Sequence, residues 1–140
     1  MFETFDHTAD LGLRIRAASL DQLFEEAALC LFSALVDDLT TVRPERRAEI
    51  VVDGSDREYL LFDWLKELLY RFEAEHMLFS RFEVRVAKGG LKAVAWGEPI
   101  DWERHILSHE IKAITYHGLK VENEKEETSD GWLAEVIVDI

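Results

Sequence analysis

The sequence predicts an α+β fold, a two-layer sandwich in which two main helices pack on a mainly antiparallel sheet. Three observations carry this expectation. Leu11, Leu13, Ile15 and Ala17 alternate with Gly12, Arg14 and Arg16, and residues 132–140 alternate in the same way, which is the period of a strand. Two other segments, 20–35 and 61–72, repeat apolar residues at the helical period instead. The order is strand, strand, helix, strand, helix and then four strands, whereas a parallel sheet would need strict alternation.

Taken in order, Phe2 to Phe5 reads as a short strand and Leu11 to Ala17 as its partner. Ser19 followed by Gln22 is a capping box that opens a helix. Leu20, Leu23, Phe24, Ala27, Leu31 and Leu35 form its apolar stripe, and Asp37-Asp38 closes it. Ala48, Ile50 and Val52 alternate in a third strand that ends at Asp53-Gly54. Ser55 with Glu58 predicts a second capping box, before a helix that turns Leu61, Leu65, Leu68, Leu69 and Phe72 inward and runs to about His76. Phe82, Val84 and Val86 alternate in a strand, and Lys88-Gly89-Gly90 turns it into a hairpin with Leu91 to Trp96, which Pro99 should break. Residues 111–122 read as a further strand, 123–130 as an acidic loop, and 132–140 as the last strand.

The 140 residues suit one domain, 1–140, which would bury roughly two-thirds of the surface the unfolded chain exposes. A 48% hydrophobic content and a mean hydropathy of -0.12 fit a globular core in a soluble chain. No apolar run approaches the ~20 residues of a membrane helix, and the N-terminus lacks a signal-peptide layout. The single cysteine, Cys30, lies in a helical apolar stripe and reads as a small core hydrophobe, which leaves no intramolecular disulfide and no thiolate metal cage. A cytoplasmic location is the expectation. Sixteen basic residues against 29 acidic ones give a net charge of -13. That balance disfavours strong nucleic-acid binding, which relies on clustered Lys and Arg, and suits cations or a basic protein partner.

The candidate chemistry lies near the two ends. Phe5-Asp6-His7-Thr8-Ala9-Asp10-Leu11-Gly12 places a histidine and two carboxylates at a chain reversal. Asp6 is an ordinary turn former; His7 and Asp10 are open to metal ligation, acid-base work or turn formation. The final strand, Val136 to Ile140, has no polar tail, so the expectation is an α-carboxylate held on a buried strand beside Asp139. Were Asp10 also to approach, three carboxylates would share one place. Two unit charges ~4 Å apart repel by about 4 kcal/mol at an effective dielectric of 20, so the group must take up protons or bind a cation. Oxygen ligands select a hard ion: calcium, magnesium or manganese.

Other groups carry less. His105 and His109 stand four apart without the glutamate of a zinc-hydrolase helix, and Lys112 reads first as a solvated lysine entering a strand. Trp64, Trp96, Trp102 and Trp132 read as core or interface surface. Phosphate-cradling glycine loops and the nucleophile elbow of serine hydrolases have no counterpart.

Three stretches together resemble the archease family: Phe5 to Gly12, then Glu110-Ile111-Lys112-Ala113-Ile114-Thr115-Tyr116-His117, then Val138-Asp139-Ile140. With the order of elements between them, the resemblance covers essentially the whole chain. It implies a strand-helix-strand-strand (SHS2-like) module with inserted elements, and a protein cofactor of the RtcB-type tRNA-splicing RNA ligase that has no catalysis of its own. The implied role is to promote guanylylation and multiple turnover of the ligase and to broaden its nucleotide use. A chaperone-like effect on a tRNA methyltransferase is implied as an alternative, and a stand-alone metal-dependent hydrolase using His7 and Asp10 is a further rival. The resemblance also implies that Asp10, Asp139 and Ile140 form a metal site, most readily for calcium. It implies that Lys112 matters for ligase activation, and it leaves the role of His7 open.

Overall fold

The computed structural model describes residues 1–7, 9–124 and 131–140. It is an α+β fold with two helices, as the periodicities require, and its antiparallel strands divide into two sheets. In chain order the elements are β1 (Phe2–His7), β2 (Asp10–Ala17), α1 (Leu20–Leu35), β3 (Arg46–Asp53), α2 (Arg57–Glu75), β4 (Met77–Ala87), β5 (Gly90–Pro99), β6 (Ala113–Ile114), β7 (Lys120–Asn123) and β8 (Trp132–Asp139). One sheet has the order β1-β2-β8-β6, with β7 also on β8; the other has the order β3-β5-β4.

Helix α1 accounts for the division. It packs on β2 and on β4, one strand from each sheet, and buries Leu23, Phe24, Ala27, Cys30, Leu31 and Phe32 completely. A helix buried on so many sides is a core element rather than a surface one. Each fully buried Leu or Phe contributes about 1.5–3 kcal/mol. The first half of α1 also covers the edge of β4, where the Val84 and Val86 N–H groups donate to Glu25 Oε2 (2.8 Å) and Asp21 Oδ1 (2.7 Å). That closes a strand edge which would otherwise invite pairing. Burial pushes the Glu25 carboxyl above its ordinary pKa, against the lowering by the Val84 bond.

Local chemistry explains the helix ends. Ser19 caps α1, its hydroxyl accepting from Gln22 N–H while Gln22 Oε1 accepts from Ala18 N–H. The cap of α2 is Asp56, not Ser55. Its carboxylate accepts from Glu58 and Tyr59 N–H at 3.0 and 3.1 Å, and an anion at a helix N-terminus is also favoured by the dipole. His76 ends α2 in the left-handed conformation, φ 57°. Trp64 anchors α2 to α1: it is fully buried, with Nε1–H donating to Phe24 O at 3.0 Å.

Several strands differ from the sequence reading: β1 runs on to His7 and β5 on to Pro99. β4 is longer than the alternation at 82–86 suggests, because its register shifts between Phe79 and Arg81 and so breaks the period at Ser80. The strand expected over 111–122 is broken into β6 and β7. A turn at Tyr116–Leu119 with Gly118 at φ 64° separates them, and both halves still pair with β8. Residues 125–130 of the expected acidic loop lie outside the described residues. Cys30 is buried as expected, and burial pushes its thiol pKa up to about 12. No helix among the described residues is long and apolar enough to cross a membrane.

Candidate functional site

The five-stranded sheet puts residues from both ends of the chain side by side. In the β1–β2 hairpin His7 is opposite Asp10, with Thr8, which lies outside the described residues, and Ala9 between them. β2 then pairs with β8, with Leu11 opposite Val138. Asp10 and Asp139 are the next residues along these two strands. Leu11 and Val138 turn into the core, so the alternation sends both aspartates to the other face. Asp10 is half-buried, Asp139 exposed and Ile140 half-buried.

The other flank of β8 holds the second motif. Ala113 pairs with Asp139, and Lys112 N–H donates to Asp139 O at 2.7 Å. Thr115 fastens this segment twice, its N–H and hydroxyl both donating to Ile137 O, at 3.1 and 2.8 Å. The Lys112 side chain is exposed. It stands on the rim of a cavity of about 570 Å³ between Phe72 and Glu73 of α2 and residues 107–111. Thus His7, Asp10, Asp139, Ile140 and Lys112 all belong to one end of the same sheet.

The histidine has a distinctive setting. His7 Nδ1 is enclosed and has no hydrogen-bond partner among the described residues. Asp10 Oδ2 is 3.9 Å away, beyond a hydrogen bond. The ring packs on that of His117, with centroids 5.2 Å apart. His117 is a neighbour that its place at the end of a sequence motif does not reveal.

The donor chemistry suits a hard cation in part. Two carboxylates on adjacent strands, with the oxygens of Ile140 one residue on, are the oxygen donors such an ion takes. Among the described residues, no three His, Cys, Asp or Glu side chains gather into a metal-binding group. Calcium takes about 6–8 oxygens, more than these residues supply.

The remaining candidates lie elsewhere. His105 is buried, with Nδ1 accepting from Asp101 N–H at 2.9 Å and Nε2 3.1 Å from Glu98 Oε2, so both ring nitrogens are engaged. Glu98 also meets Arg104 through both carboxylate oxygens, at 2.6 and 2.8 Å. Sequence reasoning missed this cluster, because residues 100–109 carry no periodicity. Trp64 is core and Trp102 is exposed, while Trp96 and Trp132 sit beneath the guanidinium groups of Arg81 and Arg57.

Two helices with a five-stranded and a three-stranded antiparallel sheet make this a small α+β domain. The model of the archease protein family matches residues 2–140, and the chain belongs to that family. It is 44% identical over 144 residues to protein archease of Methanopyrus kandleri, covering 99% of each chain. It is 42% identical to protein archease of Methanosarcina acetivorans, covering 99% of this chain and 95% of that one. The solution structure of Methanobacterium thermoautotrophicum protein 1598 matches with a TM-score of 0.84 at 35% identity, covering 99% of this chain and 98% of that one. The crystal structure of a Thermotoga maritima archease, described as a possible chaperone, shares the fold with a TM-score of 0.64 at 23% identity over 100% of this chain and 98% of that one.

Proposed function

We propose that this protein is an accessory activator of an RtcB-type tRNA-splicing RNA ligase, without chemistry of its own, promoting guanylylation and repeated turnover of the ligase. Membership of the archease family supports the partner. The observation that carries the site is the strand register that sets Asp10 beside Asp139 with Lys112 bonded to the same residue. Asp10, Asp139 and the oxygens of Ile140 would hold a divalent cation, calcium before magnesium or manganese. A bound cation supplies positive charge that complements the phosphates of a nucleotide. The chain's own part is to fix two carboxylates on rigid strands and to leave the rest of the shell open to water or partner ligands. Lys112 adds an exposed lysine that lines the cavity beside α2 and is tied to Asp139 through its backbone N–H, and His7 adds an imidazole whose Nδ1 has no partner among the described residues. The net charge of -13 steers the protein to a basic ligase surface.

The test is a multiple-turnover ligation and guanylylation assay with Asp10→Asn, Asp139→Asn and Lys112→Ala. The aspartate variants should weaken cation binding by at least the roughly 10–100-fold that loss of an outer-shell partner costs and bring ligation back to the rate of the ligase alone, with melting temperatures close to wild type. Full activation by both aspartate variants would sink the proposal. The alternative, an adaptor for a tRNA methyltransferase, predicts aggregation suppression that survives Asp10→Asn.

A further inference from the structure

The two edges of the sheet β3-β5-β4 are finished differently. Along β4 the outward N–H groups of Val84 and Val86 are taken by the carboxylates of Glu25 and Asp21 on α1. β3, at the opposite edge, has no such cover. Bonded and non-bonded residues alternate in an antiparallel pair, and two observations set the phase of the β3–β5 ladder. Gly54 N–H donates to Gly89 O just beyond the end of β3, so the even-numbered residues Ala48, Ile50 and Val52 exchange bonds with β5. The outward turn of Val84 and Val86 gives the same phase, because it leaves their β5 neighbours Leu91, Ala93 and Ala95 to bond β3. Arg47, Glu49, Val51 and Asp53 therefore direct their N–H and C=O groups to the outer edge. Among the described residues none of those groups has a partner.

A groove of about 500 Å³ runs beside the second half of this edge, between residues 51–53 and Asp63, Lys66, Glu67 and Tyr70 of α2. Tyr70 is 58% exposed. Three carboxylates, Asp53, Asp63 and Glu67, line the groove with one ammonium, Lys66. Glu67 is paired with Arg71, and the Lys66 ammonium stands over the Phe62 ring, 6.0 Å from its centroid.

We infer that the outer edge of β3 receives an extended, basic segment of a partner protein as a fourth strand of this sheet. A row of unpaired backbone donors and acceptors is a template for another main chain. Alternation then sorts the side chains of the added strand. Those opposite Ile50 and Val52 enter the groove, where the stem of a Lys or Arg lies along Tyr70 and its head reaches Asp63 and Glu67. Those opposite Glu49 and Val51 stand on the open face, where β-branched residues pack beside Val51. A polyanion would meet the three carboxylates. A second copy would bring its own set, together with a net charge of -13. Both are disfavoured, and a basic partner fits.

The peptide acetyl-Thr-Lys-Val-Lys-Val-Lys-Thr-amide is the probe, titrated into the full chain and followed by calorimetry and amide hydrogen exchange. Saturating peptide should slow exchange at the Glu49, Val51 and Asp53 amides at least about tenfold, and leave Ile50, already bonded to β5, little changed. Peptide N-methylated at both valines should lose binding, because those N–H groups face β3, whereas N-methylation of the lysines should preserve it. Asp63→Lys should weaken binding at least about tenfold. Val51→Pro removes one outward N–H at an edge position that accepts proline, so it should abolish binding with the fold intact. If that variant does not fold, the two methylated peptides still decide the matter. Equal effects of the two methylation patterns overturn the inference, as does protection away from β3 or the absence of saturable binding. Slowing of the same amides by protein concentration alone would also overturn it and would assign the edge to a second copy.

Discussion

Gly97→Val is expected to destabilise the protein by about 3 kcal/mol or more, read as a lower urea midpoint at unchanged m-value. Gly97 is buried on β5 opposite Phe79, at the point where the β4 register shifts. A Cβ there would overlap the Leu78 carbonyl oxygen and lie 2.8 Å from Leu78 C and from Phe79 Cα. These are backbone atoms of a paired strand, so relief means moving β4 away from β5 and breaking the ladder around the bulge. Gly12 supplies the contrast. The three atoms nearest a Cβ at Gly12 all belong to the Phe5 ring, a half-buried side chain on edge strand β1 that can swing aside. Gly12→Ala should therefore cost clearly less than Gly97→Ala, and equal costs would refute this account of the bulge.

Arg104→Met is expected to lower the melting temperature by on the order of 10 °C. Glu98 is 6% exposed and is held by Arg104 from the side chain, by Arg43 N–H from the backbone at 2.7 Å, and by His105. Arg104 also donates to Thr41 O, so one guanidinium ties the 39–43 segment to the end of β5. Removing it leaves the Glu98 carboxylate in a site that has been stripped of water, where a charge without its partner is costly. The same pairing sets a pH dependence. Hydrogen bonding to Arg104 is the main cause of lowering the Glu98 pKa from 4.5 to about 2, against the opposing effect of burial. A carboxyl depressed in the folded state stabilises it fully above the unfolded pKa, and that stability is lost as pH falls from about 4.5 toward 2. Acid denaturation monitored by circular dichroism should show this loss in wild type and a shallower acid limb in Arg104→Met. Parallel acid limbs would show that Glu98 does not depend on Arg104.

By itself the sequence marked Asp10 and Asp139 as clustered carboxylates and, only through the family resemblance, Lys112; it also determined the fold class, both helices, the Ser19 cap and the β4–β5 hairpin. These rest on local chemistry: side-chain periods of two and 3.6, hydrogen bonds spanning three residues, and turns that need glycine. Tertiary structure alone decided that the strands form two sheets around α1, that β4 carries a bulge at Ser80, and that Asp56 rather than its neighbour caps α2. It also decided that Asp10 and Asp139 are adjacent, which follows from a pairing between residues more than a hundred positions apart. Local patterns cannot specify such a register; it is chosen by burying Leu11, Leu13, Val136 and Val138 together against the core. The Glu98–Arg104–His105 cluster was illegible for the same reason, since an aperiodic connection acquires its partners only when it folds back on the end of β5.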